Sequence, residues 1–299
     1  MKFFHIFLLL LVVAIWGMNF VSVKIALDAM PPLLVCFVRF FLTSMPAVFF
    51  FKRPAVPFGW IVVYGLLMFV LQFALIFSGM KAGLSPGLSS ILLQTQVFFS
   101  ILFGSMILKE QVTRWQIIGA LISFSGILVV CMNLGASATP LGLFLVLSAA
   151  ATWGMGSVIV KKMGKIQSGS LLTWGSLIAW PPLLLLSLLF EHSHPILLHF
   201  HHFPWEVHGA LLFITFCSTV FGFGVWNWLV QIYPLGTIAP FTLLVPVFGM
   251  AGSALMLGET LHPWKFLAGI LVVSGLCFIL LGPRLFAKKI IETSDDSSR

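Results

Sequence analysis

Charged residues are scarce in this sequence. Asp, Glu, Lys and Arg together make up 8% of the chain, whereas hydrophobic residues make up 60%. A soluble domain carries about a quarter charged residues, so the composition excludes a protein that covers its own surface with polar groups. Lipid must supply most of the solvent, and we predict an integral membrane protein.

Acidic residues are missing from the middle of every long apolar run. Asp28, Glu110, Glu191, Glu206 and Glu259 lie at the ends of such runs or between them. Enzymes that work inside the membrane need clustered acids, bases or metal ligands. Because such groups are confined to loops here, we predict that the protein is not an enzyme. A membrane-embedded enzyme or sensor is kept as the alternative.

Paired cysteines and regular metal-binding motifs are also absent. The four cysteines lie inside apolar runs without paired spacing, which favours packing thiols over disulfides. Six of the eight histidines fall in 192–208 without a fixed ligand spacing, so a zinc site and a solvated loop both remain open there. We predict no catalytic residues, no cofactor and no resident metal.

Ten apolar runs are present instead, each close to the length of about 20 residues that crosses a bilayer. They lie at 3–23, 31–51, 57–80, 84–108, 114–133, 139–160, 169–190, 206–231, 235–257 and 264–282. Of the 16 basic residues, twelve fall on the side of the N-terminus, three fall opposite, and Arg39 lies inside a run. This bias predicts cytoplasmic N- and C-termini. It also explains the net charge of +8 without a nucleic-acid partner.

The sequence repeats itself. WGMNFVSVK at 16–24 and WGMGSVIVK at 153–161 agree at six of nine positions, 137 residues apart. At an offset of 149, the stretch from Leu84 aligns with the stretch from Tyr233, so that Phe99 matches Phe248 and Glu110 matches Glu259. The segment 191–204 absorbs the change of offset. We predict two halves, 1–136 and 137–283, followed by a short polar cytoplasmic tail, 284–299.

Each half contains five apolar runs, and five is an odd number. The second half must therefore enter the membrane from the side opposite to the first. The predicted fold is all-α, with ten transmembrane helices arranged as two inverted five-helix repeats. Inverted repeats are the architecture of secondary transporters, whose substrate site lies at mid-membrane between the halves.

Several motifs give the chain a family resemblance. These are the duplicated W-G pair, MPP at 30–32 before the run with Arg39, LQTQVFF at 93–99, and the L-x-E turns before the fifth and tenth runs. The chain resembles the EamA family of the drug/metabolite transporter superfamily over its whole length. Segments 9–27 and 243–259 are especially similar to bacterial members that export O-acetylserine and cysteine.

The resemblance implies a multi-pass protein of the bacterial inner (plasma) membrane that exports small polar metabolites, such as amino acids and their derivatives. It implies ten spans, with the first four of each half lining a cavity. An exporter of other small metabolites or drugs is the alternative within the superfamily. The missing mid-membrane carboxylate disfavours proton-driven export of bulky cations. Proton-coupled and facilitated transport both stay open, as does assembly into a homodimer.

Arg39 is the sharpest candidate for binding a substrate. A charge at mid-membrane costs several kcal/mol unless it is paired or faces water. One interpretation is a cavity residue whose planar guanidinium binds a carboxylate. The other is a structural arginine bonded to backbone carbonyls. Lys24, near the predicted outer mouth and close to Asp28, either guides a carboxylate or extends to the interface as an ordinary lysine.

The remaining candidates are aromatic or uncharged. Trp16 and Trp153 lie deep in their spans, where they either hold an ammonium group on their ring faces or simply pack beside the glycine that follows each. Asn19, Gln72, Gln94 and Ser157 could bond a small polar solute. Gln94 and Gln96 are two residues apart, so at most one of them is expected to contact it.

Overall fold

The computed structural model describes residues 1–135, 138–193, 200–233 and 239–296, with side chains except at 200, 227, 230–231, 239–240 and 280–296. Apart from a 3-10 turn at Phe200–His202, these residues form helices and their connections, and no strand. The helices are Phe3–Ala29 (α1), Pro32–Ala47 (α2), Phe58–Lys81 (α3), Pro86–Leu108 (α4), Arg114–Met132 (α5), Pro140–Met163 (α6), Ser168–Phe190 (α7), 205–232 (α8), 239–257 (α9) and Pro263–Asp296 (α10).

Several helices begin where the sequence supplies a capping oxygen. Ser85 precedes α4 and Thr139 precedes α6, and each accepts a bond from an N–H of the first turn. Thr113 and Gln116 exchange bonds at the start of α5. These side chains satisfy N–H groups that have no partner within the helix.

Seven helices are long and apolar enough to cross a membrane: α1, α3, α4, α5, α6, α7 and the described part of α8. Three further apolar helices are shorter, Pro32–Ala47, Phe241–Leu257 and Pro263–Ile279. The protein is therefore a multi-pass membrane protein. Helix α2 ends at Ala47, before the predicted limit of 51, and residues 48–50 form a turn in which the N–H groups of Phe50 and Phe51 both donate to the carbonyl of Ala47. Helix α10 continues to Asp296, so most of the polar tail is helical.

At one end of the bundle, four helices end (α1, α3, α7 and α9) and three begin (α2, α4 and α6). Hydrogen bonds connect these helix ends. Lys81 donates to the carbonyl of Leu27, and the backbone N–H of Leu33 donates to Glu191 at 2.9 Å. Ser85 donates to Glu259 at 2.5 Å. We call this the acidic end.

The opposite end holds the N-terminus, and we call it the basic end. The Tyr233 hydroxyl, after α8, lies 2.8 Å from the ring of His5 in α1. The indole of Trp174 in α7 donates to the carbonyl of Phe51, after α2, at 3.0 Å. Lys2, Lys52, Arg53, Lys109, Arg114, Lys161, Lys162 and Lys165 lie at this end.

Glycines bring the helices of the two halves into close contact. Helix α1 packs on α9, and α6 packs on α4. A Cβ at Gly17 would lie 2.5 Å from Cβ of Phe248, and one at Gly154 would lie 2.6 Å from Cβ of Phe99. Both glycines directly follow the repeated tryptophans. Their small size lets the helix backbones approach closely.

Two helices contain a π-helical segment, Leu66–Leu71 in α3 and Phe213–Phe221 in α8. At the offset of 149 found in the sequence, the first segment aligns with residues inside the second. A π-helix bonds i to i+5 and is rare, and it occurs often at functional sites. The segment in α8 is where two of the candidate residues, Trp16 and Arg39, bind.

Candidate functional site

The π segment of α8 gives neighbouring helices two adjacent polar groups. The hydroxyl of Thr219 donates to the carbonyl of Ile214, five residues earlier, at 2.8 Å. This bond leaves the lone pairs of the hydroxyl oxygen available to a second donor. The carbonyl of Ser218, one residue earlier, also accepts a bond from outside the helix.

Trp16 of α1 binds the first of these groups. Its indole Nε1 donates to the carbonyl of Ser218 at 3.1 Å, and its ring lies 5.4 Å from the rings of both Phe223 and Trp226. A Cβ at Gly222 would lie 2.5 Å from Trp16 Nε1, so only glycine leaves room there. The side chain of Trp16 is therefore held against α8, and its indole N–H has a hydrogen-bond partner.

Arg39 of α2 binds the second group. Its Nε donates to Thr219 Oγ1 at 3.0 Å, and the side chain is buried. The guanidinium carbon lies 4.2 Å from the ring centre of Phe73 and 5.7 Å from that of Phe40. Ring faces attract a cation, but they do not accept the planar hydrogen bonds of a guanidinium.

The guanidinium of Arg39 has no counter-ion within the described ranges. The three ion pairs found there join other residues. Nη1 is buried and has no hydrogen-bond partner among the described atoms. A buried charge without a partner is costly, so this nitrogen marks a place where an anionic group would lower the free energy.

Two other predicted residues carry unsatisfied amide groups close to these positions in the chain. Gln72 adjoins Phe73, is 1% exposed, and its Nε2 lacks a partner among the described residues. Asn19 lies one helical turn after Trp16, and its buried Oδ1 is likewise unpaired there. One amide offers a donor and the other an acceptor. Buried polar groups are normally paired, so both need an explanation.

A cavity of about 280 Å³ opens towards the basic end between α2, α7 and α8. Its lining consists of Thr43, Ala47, Phe51, Gln167, Ser168, Gly169, Leu172, Thr173, Val220, Gly224 and Trp228. Thr43 lies one turn after Arg39 and donates to its carbonyl at 2.8 Å. Val220 adjoins Thr219. The cavity therefore ends beside the residues that hold Arg39.

A second cavity, of about 410 Å³, lies at the acidic end beside the α1–α2 connection. It is lined by residues 28–32, Lys81 and Glu191. Both of the last two side chains are engaged, Lys81 with the carbonyl of Leu27 and Glu191 with the N–H groups that begin α2. This depression thus offers a ligand fewer free groups than the cavity at the basic end.

Four predicted residues lie apart from this cluster. Gln94 donates from Nε2 to the carbonyl of Thr242 at 2.9 Å and so joins α4 to α9. Ser157 bonds to the carbonyl of Trp153 in its own helix at 3.0 Å, and Trp153 is half-buried against the core. Lys24 forms an ion pair with Asp28 near the end of α1. The structure gives each of these a local contact and does not join it to Arg39.

Ser218, Thr219 and Thr43 are not among the residues predicted from the sequence. A signal existed, because 215–219 places three hydroxyl residues within five positions of an apolar run. No cluster of three potential metal ligands occurs in the described residues. Part of the histidine-rich segment, 194–199, lies outside them.

Comparison with known proteins identifies the family. The model of the EamA-like transporter family matches residues 3–132 and 140–281. The chain belongs to this family. The "Probable amino-acid metabolite efflux pump" of Salmonella typhimurium is 37% identical over 286 residues, covering 93% of this chain and 95% of that protein. The protein of the same description from Escherichia coli is 35% identical over 283 residues, with the same coverage.

A solved structure shares the fold. A crystal structure of another protein superposes with a TM-score of 0.65 over 97% of this chain and 99% of that chain, at 16% identity. That likeness shows a shared arrangement of helices and nothing about substrate. The family consists of transporters, which favours the transport hypothesis over the enzyme or sensor alternative.

Proposed function

We propose that the protein exports small polar metabolites, most specifically amino acids or derivatives such as cysteine and O-acetylserine, across the bacterial inner membrane. The termini are cytoplasmic, and transport is by alternating access between two inverted five-helix repeats, 1–136 and 137–283. The relatives described as amino-acid metabolite efflux pumps support the substrate class. The excess of basic residues at the end that holds the N-terminus supports the orientation.

Two matching contacts between the first and second halves support the inverted repeats. Gly17 of the first half lies against Phe248 of the second, and the matching Gly154 lies against Phe99 of the first. A twofold relation between the halves predicts such reciprocal pairs. The family model also matches the chain in two successive stretches, 3–132 and 140–281.

The contrast between the two ends supports alternating access. At the acidic end Glu191 accepts bonds from the N–H groups of Leu33 and Leu34, and Glu259 accepts from Ser85 and Gly87. These bonds hold α2 to α7 and α4 to α9. At the basic end the indole of Trp174 in α7 bonds to the carbonyl of Phe51 after α2, and the cavity lies beside this contact. The carboxylate bonds to helix starts described above lie at the acidic end, and an asymmetry of this kind is what one state of such a cycle predicts.

Arg39 carries the proposal. A buried guanidinium that has a free Nη1 and no carboxylate within the described chain is matched by a ligand that brings its own carboxylate. The unpaired Nε2 of Gln72 offers a second donor. The unpaired Oδ1 of Asn19 is an acceptor and the ring of Trp16 offers a π face, which are the kinds of group that bind an ammonium group. A zwitterion would thus satisfy groups of both kinds.

The test is counterflow in liposomes that contain the purified protein. Labelled O-acetyl-L-serine and L-cysteine should accumulate when unlabelled substrate is preloaded, and runs with and without a pH gradient separate proton-coupled from facilitated transport. Arg39→Gln should reduce counterflow by at least about tenfold, because a charged hydrogen bond to the substrate is lost. Ser125→Ala serves as the control, because Ser125 is exposed and bonds only within its own helix.

Folding of the Arg39→Gln variant is checked by its unfolding temperature in detergent. A folded variant with unchanged counterflow would assign Arg39 to a structural role. If the unmodified protein shows no counterflow of any amino acid tested, an exporter of other metabolites is favoured.

A further inference from the structure

The cavity between α2, α7 and α8 does not include Trp16 or Arg39, but two residues of its wall adjoin the cluster around them. Thr43 donates to the carbonyl of Arg39, and Val220 follows Thr219, which accepts the bond from Arg39.

The cavity wall contains a polar group that is not used by the fold. Thr173 is 2% exposed, and within the described part of the chain its hydroxyl makes no hydrogen bond. Buried hydroxyls are normally paired. A hydroxyl with both donor and acceptor capacity can bond an ester, amide or hydroxyl group of a small ligand.

The start of α7 adds a preference for negative charge. Gln167, the N-cap, makes no side-chain bond to the first N–H groups of α7, and Ser168 and Gly169 line the cavity. Free N–H groups and the helix dipole favour a carboxylate at such a position. The ring of Phe51 lies over Gly169, where a Cβ would come within 2.5 Å of it, and so borders the entrance.

We propose that this cavity is the loading site, where a small α-amino acid with a short polar side chain first binds from the basic end before its carboxylate reaches Arg39. This inference rests on the proposed export function and names the entry point. The volume of about 280 Å³ lies just below the range of ligand pockets, which is about 300–1,000 Å³. That size fits a metabolite better than a drug-sized molecule.

The test uses single cysteines in a protein whose four native cysteines are changed to alanine. Ala47→Cys and Thr173→Cys lie in the cavity wall, and Ser187→Cys is buried near Glu191 at the acidic end of the same helix as Thr173. A membrane-impermeant thiol reagent applied to inside-out vesicles should label the first two and leave Ser187→Cys largely unlabelled. Labelling of neither cavity position overturns the proposal.

Protection by a ligand distinguishes a binding site from a solvent-filled gap. O-acetyl-L-serine at about ten times its Kd should slow labelling of both cavity cysteines about tenfold. Counterflow by the cysteine-free parent, measured in parallel, tests the export function separately. Counterflow without protection overturns the loading site alone, whereas a lack of counterflow overturns the export of this amino acid and with it the loading site.

Thr173→Val provides a second measurement that does not depend on a new cysteine. It keeps the shape and removes the hydroxyl, so KM for O-acetyl-L-serine should rise about threefold to tenfold, the effect of one hydrogen bond. Thr152→Val is the matched control, because that hydroxyl bonds only within its own helix, to the carbonyl of Ala149. Equal KM values for the two variants contradict the proposal.

Discussion

Glu110 and Glu259 occupy the same position in the two halves, and the helices before them end in the same way. Helix α4 is followed by Lys109 and α9 by Gly258, both in the left-handed region, with φ of 56° and 64°. The surroundings of the two glutamates differ. Glu259 is bonded to Lys265 at 2.9 Å, and their side chains are 9% and 1% exposed. Glu110 pairs with Lys161, with side chains 45% and 63% exposed.

The same left-handed helix ending thus precedes a glutamate that joins helices in one case and a glutamate in an exposed ion pair in the other. Glu259 also accepts bonds from Ser85 and Gly87, so it joins α9 to the first turn of α4 and closes the acidic end. Glu110 reaches only an exposed lysine at the basic end. Local backbone geometry is thus shared by the halves, while burial of the charged side chain depends on what packs around it.

The largest expected effect comes from breaking the buried pair. Lys265→Met leaves Glu259 without its cation in a buried position, which should lower the free energy of unfolding by about 3–5 kcal/mol. Lys161→Met breaks the matching exposed pair and should cost about 0–1 kcal/mol. Unfolding in detergent, followed by tryptophan fluorescence, measures both. Equal losses would remove the distinction between the two ends.

An intermediate effect is expected where the halves are alike. Gly17→Ala and Gly154→Ala each place a Cβ within 2.6 Å of a phenylalanine Cβ in the other half. Each should lower stability by about 1–3 kcal/mol, and by similar amounts, because both force closely packed helices apart. Gly59→Ala is the control, since nothing lies within 4 Å of its added Cβ. A large loss in only one variant would contradict reciprocal packing.

The smallest effect concerns the residue before Glu110. Lys109 holds a left-handed conformation that the matching Gly258 adopts without strain. Lys109→Gly should therefore raise the free energy of unfolding by about 1 kcal/mol. The same fluorescence measurement checks it, with Lys162→Gly as a comparison, in which a helical residue is expected to be destabilised. A loss of stability at Lys109→Gly would mean that its side chain contributes more than the strain costs.

Much of the membrane architecture could be predicted from the sequence, because a lipid bilayer requires long apolar segments and biases the placement of basic residues. Apolar runs, the placement of lysines and arginines, and the position of Arg39 inside an apolar run are each visible without coordinates. The family followed from motifs, and comparison confirmed it. The halves, the orientation and the ten spans stay predictions that the contacts support.

The composition of the site could not be predicted in the same way. The bonds of Trp16 to Ser218 and of Arg39 to Thr219 join residues 202 and 180 positions apart. Ser218 and Thr219 lie in a π-helical segment, and no residue pattern in the sequence predicts such a segment. The packing of Trp226 on Trp16, with ring centres 5.4 Å apart, is likewise a contact between distant parts of the chain. Gln94 and Ser157 looked equally suitable, and only tertiary packing reveals that their hydrogen bonds are internal.

Helices α5 and α10 cross where almost no side chain separates them. A Cβ at Gly119 would lie 2.4 Å from the carbonyl oxygen of Gly275, and Ser123 donates to the carbonyl of Val272 at 3.0 Å. Backbones in such contact have no room to slide past each other. The last helices of the two predicted halves are therefore in backbone contact, which leaves little room for α5 and α10 to move against each other at this crossing.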